Sequence, residues 1–243
     1  MEIGDNFSGE SGNQWLAPVY DMSKRVEIDP EILKTNRCVC INSNAQEIEY
    51  YKILRTQIVQ KMQQHNWKTL MITSVQQGEG KTITAINMAL TFARAFNQTV
   101  LLVDSDLKQQ SVHQYMNYES EIGLIDYLLD DRPVQELIVW PGIDKLTIMS
   151  GGRMIQDSTE LLNSQKMKVL VEQMKERYQD RYILFDVPPI IGRADALAFA
   201  AVVDCILIVV QAYRTPKNKI KEALDLMPGE KLLGFVLNRQ RQY

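Results

Sequence analysis

The residues best able to do chemistry lie in one short run. Gly78, Gly80, Lys81 and Thr82 sit inside LMITSVQQGEGKTITAINMAL, residues 70–90. An apolar stretch from Leu70 to Ser74 reads as a buried strand, and an apolar helix opens at Lys81-Thr82. A phosphate suits such a junction. Glycines let the backbone fold tightly, successive N–H groups point inward, and the helix N-terminus adds a positive field. Lys81 would reach the outer phosphates as a point charge, and the Thr82 hydroxyl would face a magnesium ion. Laid to end on Thr82, the pattern G-x-x-x-x-G-K-[ST] puts its first glycine at Val75, while the core G-E-G-K-T is intact. Taken alone, the run has a competing reading as an ordinary glycine turn between strand and helix.

The elements around this run supply more polar ends. The β run Thr99 to Val103 stops at Asp104-Ser105-Asp106, the run Arg181 to Phe185 stops at Asp186, and Lys231 to Leu237 stops at Asn238. Cys205 to Val210 is a further continuous apolar strand. These strands alternate with helical segments, so the expected fold is α/β: a doubly wound, mostly parallel sheet with helices on both faces. Ligands of such sheets bind beyond the carboxyl ends of the strands. One terminal aspartate is usually a turn or a cap. Three carboxylates at the ends of two strands, beside a Lys-Thr loop on a third, are what a nucleoside triphosphate with magnesium requires.

Composition narrows the class. The chain has 243 residues, 45% hydrophobic and 23% charged, enough to bury a core without staples. A formal charge of -3 argues against a protein whose main task is coating nucleic acid. Three cysteines and two histidines offer no zinc-knuckle spacing, so free thiols in a reducing cytoplasm are expected. Met1 to Gly12 lacks a signal-peptide pattern, and the most apolar stretch, Ala196 to Val210, contains Asp204 and is too short to span a membrane. The expectation is a soluble cytoplasmic protein whose membrane association comes through a partner.

Residues 1–44 are the least patterned and are expected to form a flexible N-terminal segment, with a short helix over Ile28 to Leu33 begun by Asp29-Pro30. Residues 45–243 form the expected nucleotide-binding domain. Its first helix, Ala45 to Gln64, has an apolar face at Ile48, Tyr51, Leu54, Ile58 and Met62. Glu49, Lys52 and Arg55 fall on another face, where the plain reading is a solvated, ion-paired surface. Short helices are expected over Gly123 to Leu129 and Ala194 to Ala201, and another over Pro216 to Met227. One long amphipathic helix is expected over Ser158 to Tyr178, capped by Ser158 or Thr159.

The stretches VDSDLK (Val103 to Lys108) and ILFDVPP (Ile183 to Pro189) resemble the second and third nucleotide motifs of the bacterial tyrosine kinases of exopolysaccharide and capsule export, in the deviant phosphate-loop group that includes the MinD and ParA ATPases. EYYKILRT (Glu49 to Thr56), STELLNSQKM (Ser158 to Met167) and the closing GFVLNR (Gly234 to Arg239) extend the resemblance over most of the chain. It implies a magnesium–ATP-dependent protein tyrosine kinase, with ATP and Mg2+ as cofactors. The loop residues around the nucleotide would be Gln77, Gly78, Glu79, Gly80, Lys81, Thr82 and Ile83. Lys81 would neutralise the β- and γ-phosphates, Thr82 would ligate magnesium, and Asp106 and Asp186 would hold the metal through water. Asp104 would be the base for an incoming tyrosine hydroxyl, with its division of labour with Asp106 left open. Asn238 would read the adenine edge, and Arg239 would stack on the base or face solvent. Glu49, Lys52 and Arg55 would make subunit contacts in a ring.

The chain departs from that pattern at several places. Gln77 stands where the kinases carry proline, and Lys52 and Lys108 stand for arginines, keeping charge but losing the bidentate fork. The kinases end in a tyrosine cluster, whereas here only Tyr243 follows Tyr213. Tyr243 is therefore the candidate autophosphorylation site. The expected partners are a membrane-anchored polysaccharide co-polymerase that acts as activator and recruits the chain to the inner membrane face, and further copies of the chain. Two alternatives stay open: a positioning ATPase of the MinD or ParA type, disfavoured by Gln76 in place of that group's additional lysine, and a non-enzymatic ATP-binding regulator.

Overall fold

The computed structural model describes residues 23–42, 47–95, 98–177 and 180–240. Eight strands form one sheet: β1 (Lys24–Arg25), β2 (Thr69–Ser74), β3 (Thr99–Asp104), β4 (Ile138–Trp140), β5 (Leu146–Met149), β6 (Arg181–Asp186), β7 (Cys205–Gln211) and β8 (Leu232–Asn238). Their order is β1-β4-β5-β3-β6-β2-β7-β8. Every pair is parallel except β4 with β5. The central strands β2, β3 and β6 are buried at every position, which explains their unbroken apolar runs: both faces of a parallel sheet are covered. Alternate residues serve two cores. Met71, Leu101 and Ile183 face one, and Leu70, Val100 and Leu184 face the other. The parallel register brings Ser74, Asp104 and Asp186 to one end of the sheet.

The helices bear out most of the expected pattern, with α1 at Pro30–Thr35, α2 at Ile48–Gln64, α3 at Lys81–Ala93 and α4 at Val112–Met116. Asp29 caps α1 by accepting the Glu31 N–H at 2.8 Å, with Pro30 in the first turn. Helix α3 is the hub, with eleven of its 13 residues buried.

Residues 30–41, expected within the flexible first segment, pack instead against α3. Leu33, Cys38 and Cys40 are fully buried. The buried Asn87 amide of α3 accepts the Cys40 N–H at 2.9 Å and donates to the Arg37 carbonyl at 3.0 Å. The expected boundary at residue 44 and the polar start of the chain lie outside the described residues. The helix expected over Ser158 to Tyr178 is two, Ser158–Leu162 and Gln165–Arg177. Ser164 breaks it: its hydroxyl accepts the Met167 N–H at 3.1 Å and starts the second helix, while the Ser158 hydroxyl donates to Asp195 instead of capping. All three cysteines are free and buried.

Candidate active site

The loop between β2 and α3 turns on two left-handed glycines. Gly78 has φ 82° with open space where a side chain would project, and Gly80 has φ 99°. Gly80 has a second constraint, because a Cβ there would lie 2.2 Å from the Asn238 amide nitrogen. Glu79 braces the loop from within. Its carboxylate accepts the Gln76 N–H at 2.8 Å and the Thr215 hydroxyl, and its carbonyl accepts the Asn238 amide at 2.8 Å. The loop is thus tied to β8 and to the turn after β7.

Below the loop, charge alternates. The Lys81 ammonium lies 3.0 Å from Asp106 and 3.2 Å from Asp186. The Thr82 hydroxyl donates to Asp186 at 2.6 Å and lies 3.2 Å from the Ser111 hydroxyl. Burial alone would lower the Lys81 pKa, but Asp186, Asp106 and Asp104 outweigh it and raise it, so Lys81 stays charged. Asp186 is pushed up by burial, against the pull of Lys81 and Thr82. Burial, reinforced by Asp186, pushes Asp104 up to about 7.

Two of the expected site residues also brace the fold. Asp104 has no solvent exposure. Its carboxylate accepts the Ser111 and Val112 N–H groups at 3.0 Å each and the Asp106 N–H at 3.2 Å. It thereby braces the segment from β3 to α4, a structural task beside the one expected of it as base. Asn238 is also turned inward: its nitrogen is on Glu79 and its oxygen accepts the Arg239 N–H at 2.9 Å. The amide thus fixes the loop to β8, with one N–H and one oxygen lone pair left over for a further partner. Arg239, at φ 58°, is exposed and reaches Gln211 at 3.4 Å.

The three subunit-contact candidates lie on α2. Lys52 pairs with Glu49 at 2.6 Å on the exposed face. Arg55 donates to the Thr91 carbonyl of its own α3 at 2.8 Å, so one of its donors is spent within the chain. Tyr243 lies outside the described residues. Arg193 was missed. Its guanidinium lies 3.0 Å from Asp106 and 3.5 Å from the Gln109 side-chain oxygen, which also accepts from Gln77 at 2.7 Å. Its position just beyond Asp186, in the loop leaving a strand whose end faces the ligand side, is the signal that could have found it.

Lys81 supplies the positive charge among Asp106, Asp186 and Thr82, an all-oxygen donor set that fits a hard cation. Among the described residues no group of three or more histidine, cysteine or acidic side chains could hold a metal by itself. A magnesium ion that keeps waters and takes phosphate oxygens matches this sparse set better than a caged metal does.

This geometry defines a phosphate-loop nucleotide-binding domain, and a family model described as an AAA domain matches residues 67–225. The tyrosine-protein kinase YwqD of Bacillus subtilis is 34% identical over 196 residues, covering 79% of this chain and 81% of the relative. The tyrosine-protein kinase CpsD of Streptococcus agalactiae is 31% identical over 194 residues, covering 79% and 82%. The crystal structure of the chimerical protein CapA2B2 superposes with a TM-score of 0.78 at 25% identity, over 94% of this chain and 97% of that one. The chain belongs to the bacterial tyrosine-protein kinases of capsule and exopolysaccharide biosynthesis.

Proposed function

We propose that this chain is a magnesium–ATP-dependent tyrosine autokinase that regulates polysaccharide polymerisation and export. The observation that carries the reading is Lys81 held between Asp106 and Asp186 beneath a loop with two left-handed glycines. In this reading the backbone of Gln77 to Ile83 cradles the phosphates, Lys81 moves from the carboxylates to the β- and γ-phosphate oxygens, and Thr82, Asp106 and Asp186 hold the metal or its waters. Magnesium, when bound, neutralises charge that develops on the transferring phosphoryl group. Glu79 and Asn238 fix the loop, Asp104 fixes the segment carrying Asp106, and Arg239 is left to face the base. Phosphoryl transfer depends mainly on positioning and charge, so this set needs no strong base.

The proposed acceptor is Tyr243, presented to a neighbouring copy. Helix α2 supports a subunit contact, because Tyr50 and Ile53, each 58% exposed, flank the Glu49–Lys52 pair. Among the described residues no helix is long and apolar enough to cross a membrane. The proposal includes a membrane-anchored co-polymerase that recruits and activates the chain at the inner membrane face. Incubation with γ-labelled ATP, with and without that activator's cytoplasmic tail, tests the reading. Label on tyrosine that disappears in Tyr243→Phe supports it. Phosphate release without labelled tyrosine, in the presence of the tail, overturns it in favour of an ATPase.

A further inference from the structure

Arg193 is a charged side chain at the site that the reading above leaves without a task, and its surroundings are built. The segment after β6 is pinned to the start of the phosphate loop: the Ile190 N–H donates to the Ser74 carbonyl at 2.9 Å and the Ile191 N–H to the Val75 carbonyl at 3.1 Å. Gly192, at φ 86°, then turns the chain. Asp195, two residues past Arg193, is fully buried and anchored by the Ser158 hydroxyl, with Lys108 at 3.6 Å. The backbone on both sides of Arg193 is thus held, and the loop places the guanidinium over Asp106.

Arg193 and Lys81 share that carboxylate. Lys81 takes Oδ2 and Arg193 takes Oδ1, each at 3.0 Å. They differ in freedom: the Lys81 side chain is 12% exposed and that of Arg193 is 23% exposed, at the rim. Through Gln109 the guanidinium also adjoins Gln77, at the outer edge of the phosphate loop.

From this arrangement we infer that Arg193 reads the terminal phosphate and makes the site distinguish a nucleoside triphosphate from a diphosphate. The inference rests on the magnesium–ATP reading. When Asp106 turns to a divalent cation or its waters, a second cation on the same carboxylate is opposed by like charge. Arg193, 23% exposed at the rim, has room to leave, and in the magnesium–ATP reading the terminal phosphate is the anion that would take it up. Its planar fork matches phosphate oxygens in pairs, which a lysine cannot do. A diphosphate leaves that anion out, and Arg193 gains no phosphate partner.

The test is direct binding, without turnover. Fluorescent ADP and a fluorescent non-hydrolysable ATP analogue, each with magnesium, are titrated into the full chain, Arg193→Gln and Arg193→Lys. Arg193→Gln is expected to weaken the triphosphate analogue roughly tenfold, as expected for one charged hydrogen bond, and to leave ADP within about twofold. Arg193→Lys is expected to fall between, since it keeps charge and loses the fork. Equal losses for both nucleotides would mean that Arg193 acts only through Asp106, and would overturn the inference. So would unchanged binding of both. Failure of the unsubstituted chain to bind either nucleotide would instead bring down the magnesium–ATP reading itself, and this inference with it.

Discussion

Asp104 and Asp186 end neighbouring strands as register partners, and neither carboxyl is exposed. Two buried acids side by side cannot both ionise freely, and burial with the Asp186 charge lifts Asp104 to about 7. The unfolded value is near 3.8, so between these limits the folded chain holds a proton that the unfolded chain has released. Stability from this group is therefore fully present below the unfolded value and lost as pH rises through about 7. Comparing chemical denaturation of the empty protein with that of Asp104→Asn, which has no proton to lose, isolates the effect. The original should lose ground to the variant between about pH 4 and about pH 7, at about 1.4 kcal/mol per pH unit of full differential protonation. A constant difference across that range would rule out the assignment.

Lys81 should matter to folding as well as to nucleotide. It is the cation shared by Asp106 and Asp186, whose side chains are 3% and 0% exposed. In Lys81→Met both carboxylates keep their burial and lose this partner, a change worth about 3–5 kcal/mol for a buried pair. The loss should shrink at low pH, where the carboxylates can take up protons. Fluorescent nucleotide should no longer bind to the variant under conditions where it is still folded. Full affinity in the folded variant would remove Lys81 from the phosphate site.

The segment over α3 gives a prediction independent of nucleotide. Asn87 is fully buried and serves the Cys40 N–H, the Arg37 carbonyl and, within its own helix, the Ile83 carbonyl at 3.0 Å. Asn87→Ala strands the buried Cys40 N–H, at about 1–3 kcal/mol, and removes the partner of the part-buried Arg37 carbonyl. Leu33→Ala, by opening a cavity beneath the same segment, should cost about 2–5 kcal/mol. Equilibrium unfolding measures both, and limited proteolysis should cut residues 30–42 sooner in each variant. Near-zero losses in both would mean that the segment does not belong to the core.

What the sequence disclosed depended on whether a residue's environment is set locally. The strands β2, β3, β6 and β7 were legible because burial on both faces forces unbroken apolar runs. β1 and β4, of two and three residues, are too short to carry a period. Leu33, Cys38 and Cys40 hide in a polar stretch for the same reason. The loop and the aspartates at strand ends were legible because spacing and chain direction alone bring them together. The directions of Asp104 and Asn238 were not, since they are decided by donors and acceptors at residues 111–112 and 79 that only the tertiary fold brings near. Arg193 escaped because its loop has no pattern, although the strand before it does.

The contact between Gly80 and Asn238 makes the loop's geometry testable without a nucleotide. Gly80→Ala meets two penalties: a side chain at φ 99°, and a Cβ 2.2 Å from the Asn238 amide. The first costs on the order of 1–3 kcal/mol. The second forces Asn238 off the Glu79 carbonyl and loosens the tie between loop and β8. Asn238→Ala alone removes the tie but leaves Gly80 free, so its cost should be close to that of one hydrogen bond, about 1 kcal/mol. In the double variant the clash is gone and the backbone penalty remains, so the summed single costs should exceed the double cost. A double-mutant cycle read by chemical denaturation yields that coupling directly. Strict additivity would mean that the loop yields to the new side chain without disturbing Asn238, and that the glycine is required for its backbone angle alone.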